Sequence, residues 1–203
     1  MRFLVFAVLL LTGTACNAAD QPIEQNLPTL TVKEDKIGGT KTLEEMGLDQ
    51  KYADYQKAYF AGGCFWCTEA IFERVNGVVD VWSGYTGGTT RRVTYEQSNT
   101  GRTGHAEAIV VYFDPEVVSY AQLVEFFFAA HDPTQVNRQG PDRGPQYRSG
   151  NYIMGEEQGT IAKEYMEMLD ASGKYDRPIA TEIAAAGEFW VAEDYHQDYY
   201  RLH

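Results

Sequence analysis

Two cysteines, Cys64 and Cys67, stand three positions apart, and a predicted helix begins directly after the first of them. The pair Gly62-Gly63 before them ends a predicted strand, so the Cys64 sulfur lies where a strand passes into a helix. Unpaired backbone N–H groups and the positive end of the helix dipole meet there, which favours a thiolate. Cys67 follows on the same helical face, within reach for a disulfide. The spacing therefore predicts a reactive thiol with a neighbouring redox partner.

A C-x-x-C pair is also compatible with other kinds of site. Half of a zinc site is disfavoured, because the sequence has no second C-x-x-C or C-x-x-H pair. A structural disulfide between residues this close would restrain the unfolded chain very little. A thioredoxin-type redox motif has the same local order of strand, turn and helix, and this alternative stays open.

A glutamate in a strand with alternating apolar residues is the second chemical candidate. The alternation after Gly104-His105 places Glu107 on one face with Ile109 and Val111. A carboxyl group that faces an apolar layer is desolvated, so it stays protonated near neutral pH and can act as an acid. The alternative is a glutamate at the frayed end of the strand that points to solvent. His105 is interpreted as a turn residue or structural hydrogen-bonding group.

Aromatic side chains and a long polar loop accompany these candidates. Phe65 and Trp66 either pack in the core or form an apolar wall that would suit a methyl group beside a polar sulfur. Residues 132–150 are rich in Gly, Pro, Arg and Gln, which is uncommon inside compact domains unless the loop is functional. The alternative for this loop is a solvated connection. The aromatic tail over residues 189–200 is assigned to packing rather than catalysis.

The elements that position these residues alternate between helical and strand patterns. We predict strands over residues 58–61, 78–85, 105–113, 152–154 and 179–184, and helices over residues 65–75, after the Ser119 cap, and over 156–171. This order predicts an α+β fold, a two-layer α/β sandwich of the ferredoxin-like plait type. Its sheet is expected to be mixed and largely antiparallel, with long polar loops.

The first 56 residues precede that domain. Residues 1–19 begin with a positive charge, continue as an apolar run and end in small residues, and this pattern predicts an export signal. Two cleavage types stay open: an ordinary signal peptide, or a lipoprotein signal with Cys16 as the lipid anchor. Residues 20–56 are polar and irregular, which predicts a tether with one short helix near residues 43–47. The catalytic domain is expected over residues 57–203, in a periplasmic or membrane-anchored protein.

Composition limits the partners. The chain has 203 residues, 44% of them hydrophobic, which is enough for one main core. Its formal charge of −12 repels phosphate backbones, so we expect no nucleic acid partner. No residue pattern requires a metal or more than a monomer.

Several ordered motifs together resemble one family, peptide methionine sulfoxide reductase A. The resemblance extends over about residues 59–200, and its motifs are Gly63-Cys64-Phe65-Trp66-Cys67, Ser83-Gly84-Tyr85-Thr86-Gly87-Gly88, Thr94-Tyr95-Glu96, Gly104-His105-Ala106-Glu107, His131-Asp132-Pro133-Thr134-Gln135, Asn137-Arg138-Gln139-Gly140 and Gln146-Tyr147-Arg148-Ser149. It implies a mixed α/β core and reduction of the S epimer of methionine sulfoxide, free or in peptides, as repair after oxidation.

The resemblance also implies a role for each matching residue. Cys64 matches the nucleophile, and Phe65 and Trp66 match the pocket for the substrate methyl group. The groups that bind the sulfoxide oxygen are matched by Tyr95, Glu107 and Tyr147, with Glu107 as the proton donor, and Asp142 matches a supporting polar position.

Two features depart from the family pattern. Many members carry the second cysteine in a C-terminal tail, but no cysteine follows Cys67 in this sequence, so Cys67 is implied as the partner in the disulfide. An external dithiol, thioredoxin or a thioredoxin-like domain, would then reduce it, with no other cofactor. The run Arg91-Arg92-Val93 replaces the usual Asn-Pro before Thr94. A general thiol-disulfide oxidoreductase and a surface binding protein are the rival hypotheses.

Overall fold

The structure is a computed structural model that describes residues 40–203. Its strands are β1 (Lys41–Thr42), β2 (Gln56–Gly62), β3 (Val78–Thr86), β4 (Ala106–Phe113), β5 (Arg138–Gln139), β6 (Asp142–Arg143), β7 (Ser149–Ile153), β8 (Glu182–Ala185) and β9 (Trp190–Val191). Its helices are α1 (Leu48–Lys51), α2 (Phe65–Phe72), α3 (Tyr95–Asn99), α4 (Tyr120–Ala130), α5 (Glu156–Ala171) and α6 (Tyr199–Leu202), with 3-10 turns at Pro145–Tyr147 and Asp194–His196.

Seven strands form the main sheet in the order β1-β9-β3-β4-β2-β7-β8. Every neighbouring pair is antiparallel except β7 and β8, which run parallel. The short strands β5 and β6 form a separate hairpin inside the long polar loop. The mixed α/β fold with a mostly antiparallel sheet is therefore confirmed.

Alternating side chains of the central strands form an apolar core on each face of the sheet. On one face, Phe60 and Ile109 pack with the apolar sides of α2 and α4. On the other face, Tyr59 and Val110 pack with residues of the segment that precedes β2. This alternation follows from the period of two along a strand, and it fixes the register of β2 against β4.

Local sequence signals place most element boundaries. Ser119 caps α4 as predicted, with its side chain accepting from the Gln122 N–H in a capping box. Helix α5 covers the predicted residues. The helix predicted over 65–75 ends at Phe72, and the strand predicted over 179–184 begins at Glu182. Helix α3 was not predicted; a capping box between Thr94 and Gln97 starts it.

The tether predicted over residues 20–56 ends earlier in the structure. Leu43, Leu48 and Tyr52 are buried in the second apolar core, and β1 pairs with β9. Residues 40–56 are therefore part of the folded domain, because their few apolar side chains cover a sheet face that would otherwise be exposed. The predicted helix near residues 43–47 is a turn, followed by α1.

Residues 1–39 lie outside the described part of the chain. The predicted export signal, Cys16 and the first half of the tether fall there. Within residues 40–203, no helix is long and apolar enough to cross a membrane.

Candidate active site

Cys64 lies between β2 and α2, at the position that caps the helix. The preceding Gly63 has φ +97°, and a Cβ atom there would lie 2.5 Å from the Gln139 Cβ atom. A side chain at this position would be strained and would collide with the β5–β6 hairpin. The glycine therefore lets that hairpin pack directly against the turn that carries the thiol.

The N–H groups at the start of α2 are largely occupied by other acceptors. The Phe65 N–H donates to Glu107 Oε2 at 3.1 Å, and the Cys67 and Thr68 N–H groups donate to the Cys64 carbonyl oxygen. The pKa of the Cys64 thiol is raised by its hydrogen bond with Cys67, by burial and by the negative charge of Glu107. The expectation that the helix start favours a thiolate at Cys64 stays a prediction: the backbone N–H of Cys67 lowers the pKa of Cys64, while the Cys67 thiol, burial and Glu107 raise it.

Glu107 lies in the middle of the sheet beside this turn. It pairs with Tyr85 across β3 and β4 and is 2% exposed. Burial raises its pKa to about 8, although the hydrogen bond from the Phe65 N–H opposes that shift. The predicted buried carboxyl group, protonated at neutral pH, agrees with this geometry, and the alternative of a frayed, solvated glutamate does not.

Cys67 is the more accessible of the two free thiols. Its sulfur lies 3.6 Å from the Tyr200 hydroxyl oxygen. The pKa of Cys67 is lowered, first by the hydrogen bond with Cys64 and then by that with Tyr200. The contacts of Cys67 thus favour its thiolate form more than those of Cys64 do.

A cavity of about 450 Å³ opens beside both cysteines. Of the residues predicted for the site, Cys64, Trp66, Cys67 and Asp142 line it. The remaining walls are mostly apolar or amide side chains, and they come from β2, α2, α4, α6 and the polar loop: Gly62, Thr68, Ile71, Phe127, Ala130, His131, Gln139, Gly140, Pro141 and Tyr200.

Tyr147 lies close to four other residues predicted for the site. Its pKa is raised by burial and then by the charges of Glu107, Tyr95, Asp142 and Cys64, so each of these groups is near Tyr147. The Tyr147 hydroxyl also contacts Asn99 Oδ1 at 3.4 Å. The structure thus gathers the predicted polar groups around one thiol.

The two aromatic residues that follow Cys64 have different environments. Phe65 is 1% exposed, and its ring packs 5.6 Å from Tyr85 in the main core. Trp66 is half-buried, and its ring stacks on Tyr199 with 3.7 Å between centroids and 5° between planes. Phe65 therefore combines core packing with its place beside the thiol, while Trp66 forms part of the cavity wall.

The C-terminal segment contributes residues that the sequence patterns did not identify. Buried His196 accepts a hydrogen bond from Trp66 Nε1–H at 3.0 Å, and burial lowers its pKa to about 4, so its ring is neutral. Glu193 accepts from the Tyr85 hydroxyl and from the Tyr95 N–H, both at 3.0 Å. The assignment of this segment to packing was therefore incomplete. A glutamate and a histidine within an aromatic run were the available signal.

The other polar residues that the sequence singled out have structural contacts. His105 Nε2 lies 2.8 Å from the Thr90 carbonyl oxygen, and His105 Nδ1 accepts from the Gly88 N–H, as predicted for a structural hydrogen-bonding residue. In the polar loop, Gln139 bonds both backbone groups of Asp132. This bonding holds the β5–β6 hairpin, and with it Asp142, over the cysteines.

Comparisons with known proteins identify similar chains. Residues 56–203 match the family model described as peptide methionine sulfoxide reductase. A peptide methionine sulfoxide reductase MsrA 1 of Rhodopirellula baltica is 54% identical over 144 residues, which cover 71% of this chain and 74% of that protein.

Solved structures give the same result. Methionine sulfoxide reductase A of Corynebacterium diphtheriae is 39% identical with a TM-score of 0.65, covering 73% of this chain and 74% of that one. Reduced Mxr1 of Saccharomyces cerevisiae is 34% identical with a TM-score of 0.69, covering 73% and 85%.

Proposed function

The chain belongs to the peptide methionine sulfoxide reductase family, and on that premise we propose that it reduces the S epimer of methionine sulfoxide, free or in peptides, by attack of the Cys64 sulfur. The observation that carries this proposal is the buried Glu107, bonded to the first N–H of the helix that begins after Cys64. Sulfoxide reduction requires a nucleophile that attacks the sulfur and a proton for the oxygen. A thiol beside a protonated carboxyl group can supply both.

The first step is proposed as attack by the Cys64 thiolate on the sulfoxide sulfur. Glu107 gives its proton to the sulfoxide oxygen, the sulfur–oxygen bond breaks, and the hydroxyl group moves to the Cys64 sulfur. Methionine leaves, Cys64 becomes a sulfenic acid, and Glu107 becomes a carboxylate. The sulfur of the substrate is reduced by two electrons, and the Cys64 sulfur is oxidised by two.

The surrounding residues are proposed to orient the substrate. Tyr147 and Tyr95 would donate hydrogen bonds to the sulfoxide oxygen, because Tyr147 lies close to Glu107 and Tyr95 lies close to Tyr147. Phe65 and Trp66 would receive the methyl group. Asp142, which lines the cavity beside the cysteines, would support this polar group.

Separate S and R epimers of a blocked methionine sulfoxide test this proposal. We expect residues 40–203, purified with excess dithiothreitol, to release the reduced product from the S epimer and at most background amounts from the R epimer. The preference for the S epimer is carried over from the family to which the chain belongs. If neither epimer is reduced while both thiols are free, and insulin disulfides are reduced instead, the chain is a thiol-disulfide oxidoreductase.

Cys67 is proposed as the cysteine that resolves the sulfenic acid. Its sulfur shares a hydrogen bond with Cys64, and its lowered pKa supplies the attacking thiolate near neutral pH. The Cys64–Cys67 disulfide would then be reduced by thioredoxin or a thioredoxin-like domain, a reaction favoured by the exposure of Cys67. We propose no bound cofactor beyond that dithiol.

Replacing Cys67 with serine is expected to allow one reaction per enzyme molecule. The variant should release about one equivalent of methionine and then stall with a thioredoxin-type reductant, since no disulfide can form. Rapid-quench counting of methionine per enzyme measures this burst. Turnover at the wild-type rate with that reductant would contradict the resolving role.

We further propose that residues 1–19 direct export and that the mature protein is periplasmic or lipid-anchored at Cys16, which would be its only membrane contact. The charge and apolar pattern of the first residues supports this. The mass of the mature N-terminus distinguishes the two cleavage types, and an intact Met1 on protein isolated from its source would contradict export.

The ferredoxin-like plait and the monomeric state are also proposals. The strand order β3-β4-β2-β7, with α2 after β2 and α4 after β4, supports the plait. A crystal structure with α2 and α4 on opposite faces of the sheet would contradict it. Light scattering at micromolar concentration tests the monomer.

A further inference from the structure

We propose that Tyr200 is a positioning residue for disulfide formation, with its hydroxyl group donating a hydrogen bond that holds the Cys67 sulfur beside Cys64. This inference rests on the proposed role of Cys67 as the resolving cysteine. It adds a residue of the C-terminal helix α6 to a step that otherwise involves α2 alone. The observation that carries it is the 3.6 Å separation between Cys67 Sγ and Tyr200 Oη.

The backbone that carries Tyr200 is fixed by buried contacts. The Gln197 side chain accepts from the Ser83 N–H and donates to the Ser83 and Ala192 carbonyl oxygens, at 2.9 to 3.0 Å. The Asp198 N–H donates to Glu69 Oε2 on α2 at 2.9 Å. These bonds attach the start of α6 both to β3 and to the helix that carries the cysteines, so α6 has a defined place over them.

The next two residues cover adjacent parts of the first turn of α2. Tyr199 stacks on Trp66, and Tyr200 reaches Cys67, one position further along α2. The stacking limits the rotation of α6 about its axis, which keeps the Tyr200 hydroxyl directed at the sulfur. Tyr200 itself is 55% exposed, so its side chain contributes little to the core.

A hydroxyl donor at this place assists the resolving step in two ways. It stabilises the Cys67 thiolate, and it keeps that thiolate within reach of the Cys64 sulfur. The Cys67 thiolate then attacks the sulfenic sulfur, forming the Cys64–Cys67 bond and breaking the bond between that sulfur and oxygen. Hydroxide leaves and takes one proton from solvent to become water. Cys67 is oxidised, and Cys64 is reduced. The lowered pKa of Cys67, to which Tyr200 contributes, agrees with this role.

A single-turnover experiment on Tyr200→Phe separates this role from a structural one. Reduced enzyme is mixed with excess S-sulfoxide; methionine release reports the first step, and loss of both thiols with trapping of sulfenic acid by dimedone reports the second. Disulfide formation is expected to slow about tenfold more than methionine release does at pH 7, the order of a hydrogen bond to a charged group. Its pH profile should move to higher pH. Tyr55→Phe, at another exposed tyrosine just before β2, is the matched control.

Each outcome supports or overturns the proposed role of Tyr200. The proposal is overturned if disulfide formation in the variant keeps the wild-type rate and its pH profile does not move. Equal slowing of both steps also overturns it, because Tyr200 would then support the whole site rather than Cys67. A wild-type enzyme that releases no methionine refutes the reductase reaction itself, which is a separate result. Methionine release by the Tyr200→Phe variant also shows that its active site is folded.

Discussion

Replacing Cys64 with serine is expected to abolish methionine sulfoxide reduction, even with excess dithiothreitol. The serine hydroxyl remains protonated at any pH the protein tolerates, so it supplies no nucleophile for the sulfoxide sulfur. We expect Cys67 not to substitute for it, because the N–H that bonds Glu107 belongs to Phe65, the residue after Cys64, whereas Cys67 lies three positions further along the chain. Removal of a covalent nucleophile typically costs several orders of magnitude in kcat.

The matched control for that substitution is Cys67→Ser in the same assay. Dithiothreitol can reduce the Cys64 sulfenic acid directly, so the Cys67 variant should keep turning over while the Cys64 variant does not. Methionine release from the S epimer is the measurement, with circular dichroism to verify folding. If Cys64→Ser retains turnover with dithiothreitol, the nucleophile has been assigned to the wrong residue.

The raised pKa of Cys64 does not conflict with this role. One of its causes is the negative charge of Glu107, and that charge is absent whenever the carboxyl group is protonated. Its first cause is the hydrogen bond with Cys67, and a bound substrate that changes this contact also changes the pKa of Cys64.

The sequence predicts those parts of the site that depend on residues close together in the chain. The turn from β2 through Gly63 to α2, the alternation around Glu107 and the Ser119 cap are local, and all three are found in the structure. Local patterns are enough to predict these features, because a capping hydrogen bond and the alternation of side chains along a strand both depend on residues close together in the chain.

The parts that the sequence does not predict depend on contacts between distant segments. Trp66 and His196 are 130 positions apart, and Tyr95 and Glu193 are 98 apart. No periodicity specifies which buried histidine will accept a bond from a given indole. The same limit applies at the start of α2, where the acceptor of the Phe65 N–H, Glu107, comes from another strand.

Replacing Glu107 with glutamine is expected to slow methionine formation by about 10²- to 10⁴-fold, the usual contribution of a general acid. Glutamine has nearly the same shape, and its carbonyl oxygen can still accept from the Phe65 N–H, so the fold is retained. It has no acidic proton for the departing oxygen. The burst of methionine in a single turnover measures this step apart from recycling, and an unchanged burst rate would remove Glu107 from the role of acid.

The pH dependence of the first step distinguishes loss of the acid from general damage to the site. In the wild type the pKa of Glu107 is about 8, so the fraction carrying the proton falls as pH rises through 8, by about tenfold per pH unit beyond it. The Cys64 thiolate becomes more abundant by about tenfold per pH unit over the same range, because the pKa of Cys64 is raised. The two changes offset each other above pH 8, so the observed rate should rise up to about pH 8 and then level off. Glutamine does not titrate, and removing the Glu107 charge also removes one cause of the raised thiol pKa. The variant should therefore be slow at neutral pH, and its rate should keep rising through pH 8 as the thiolate forms. A rate that still levels off near pH 8 in Glu107→Gln would assign the proton donor to another group.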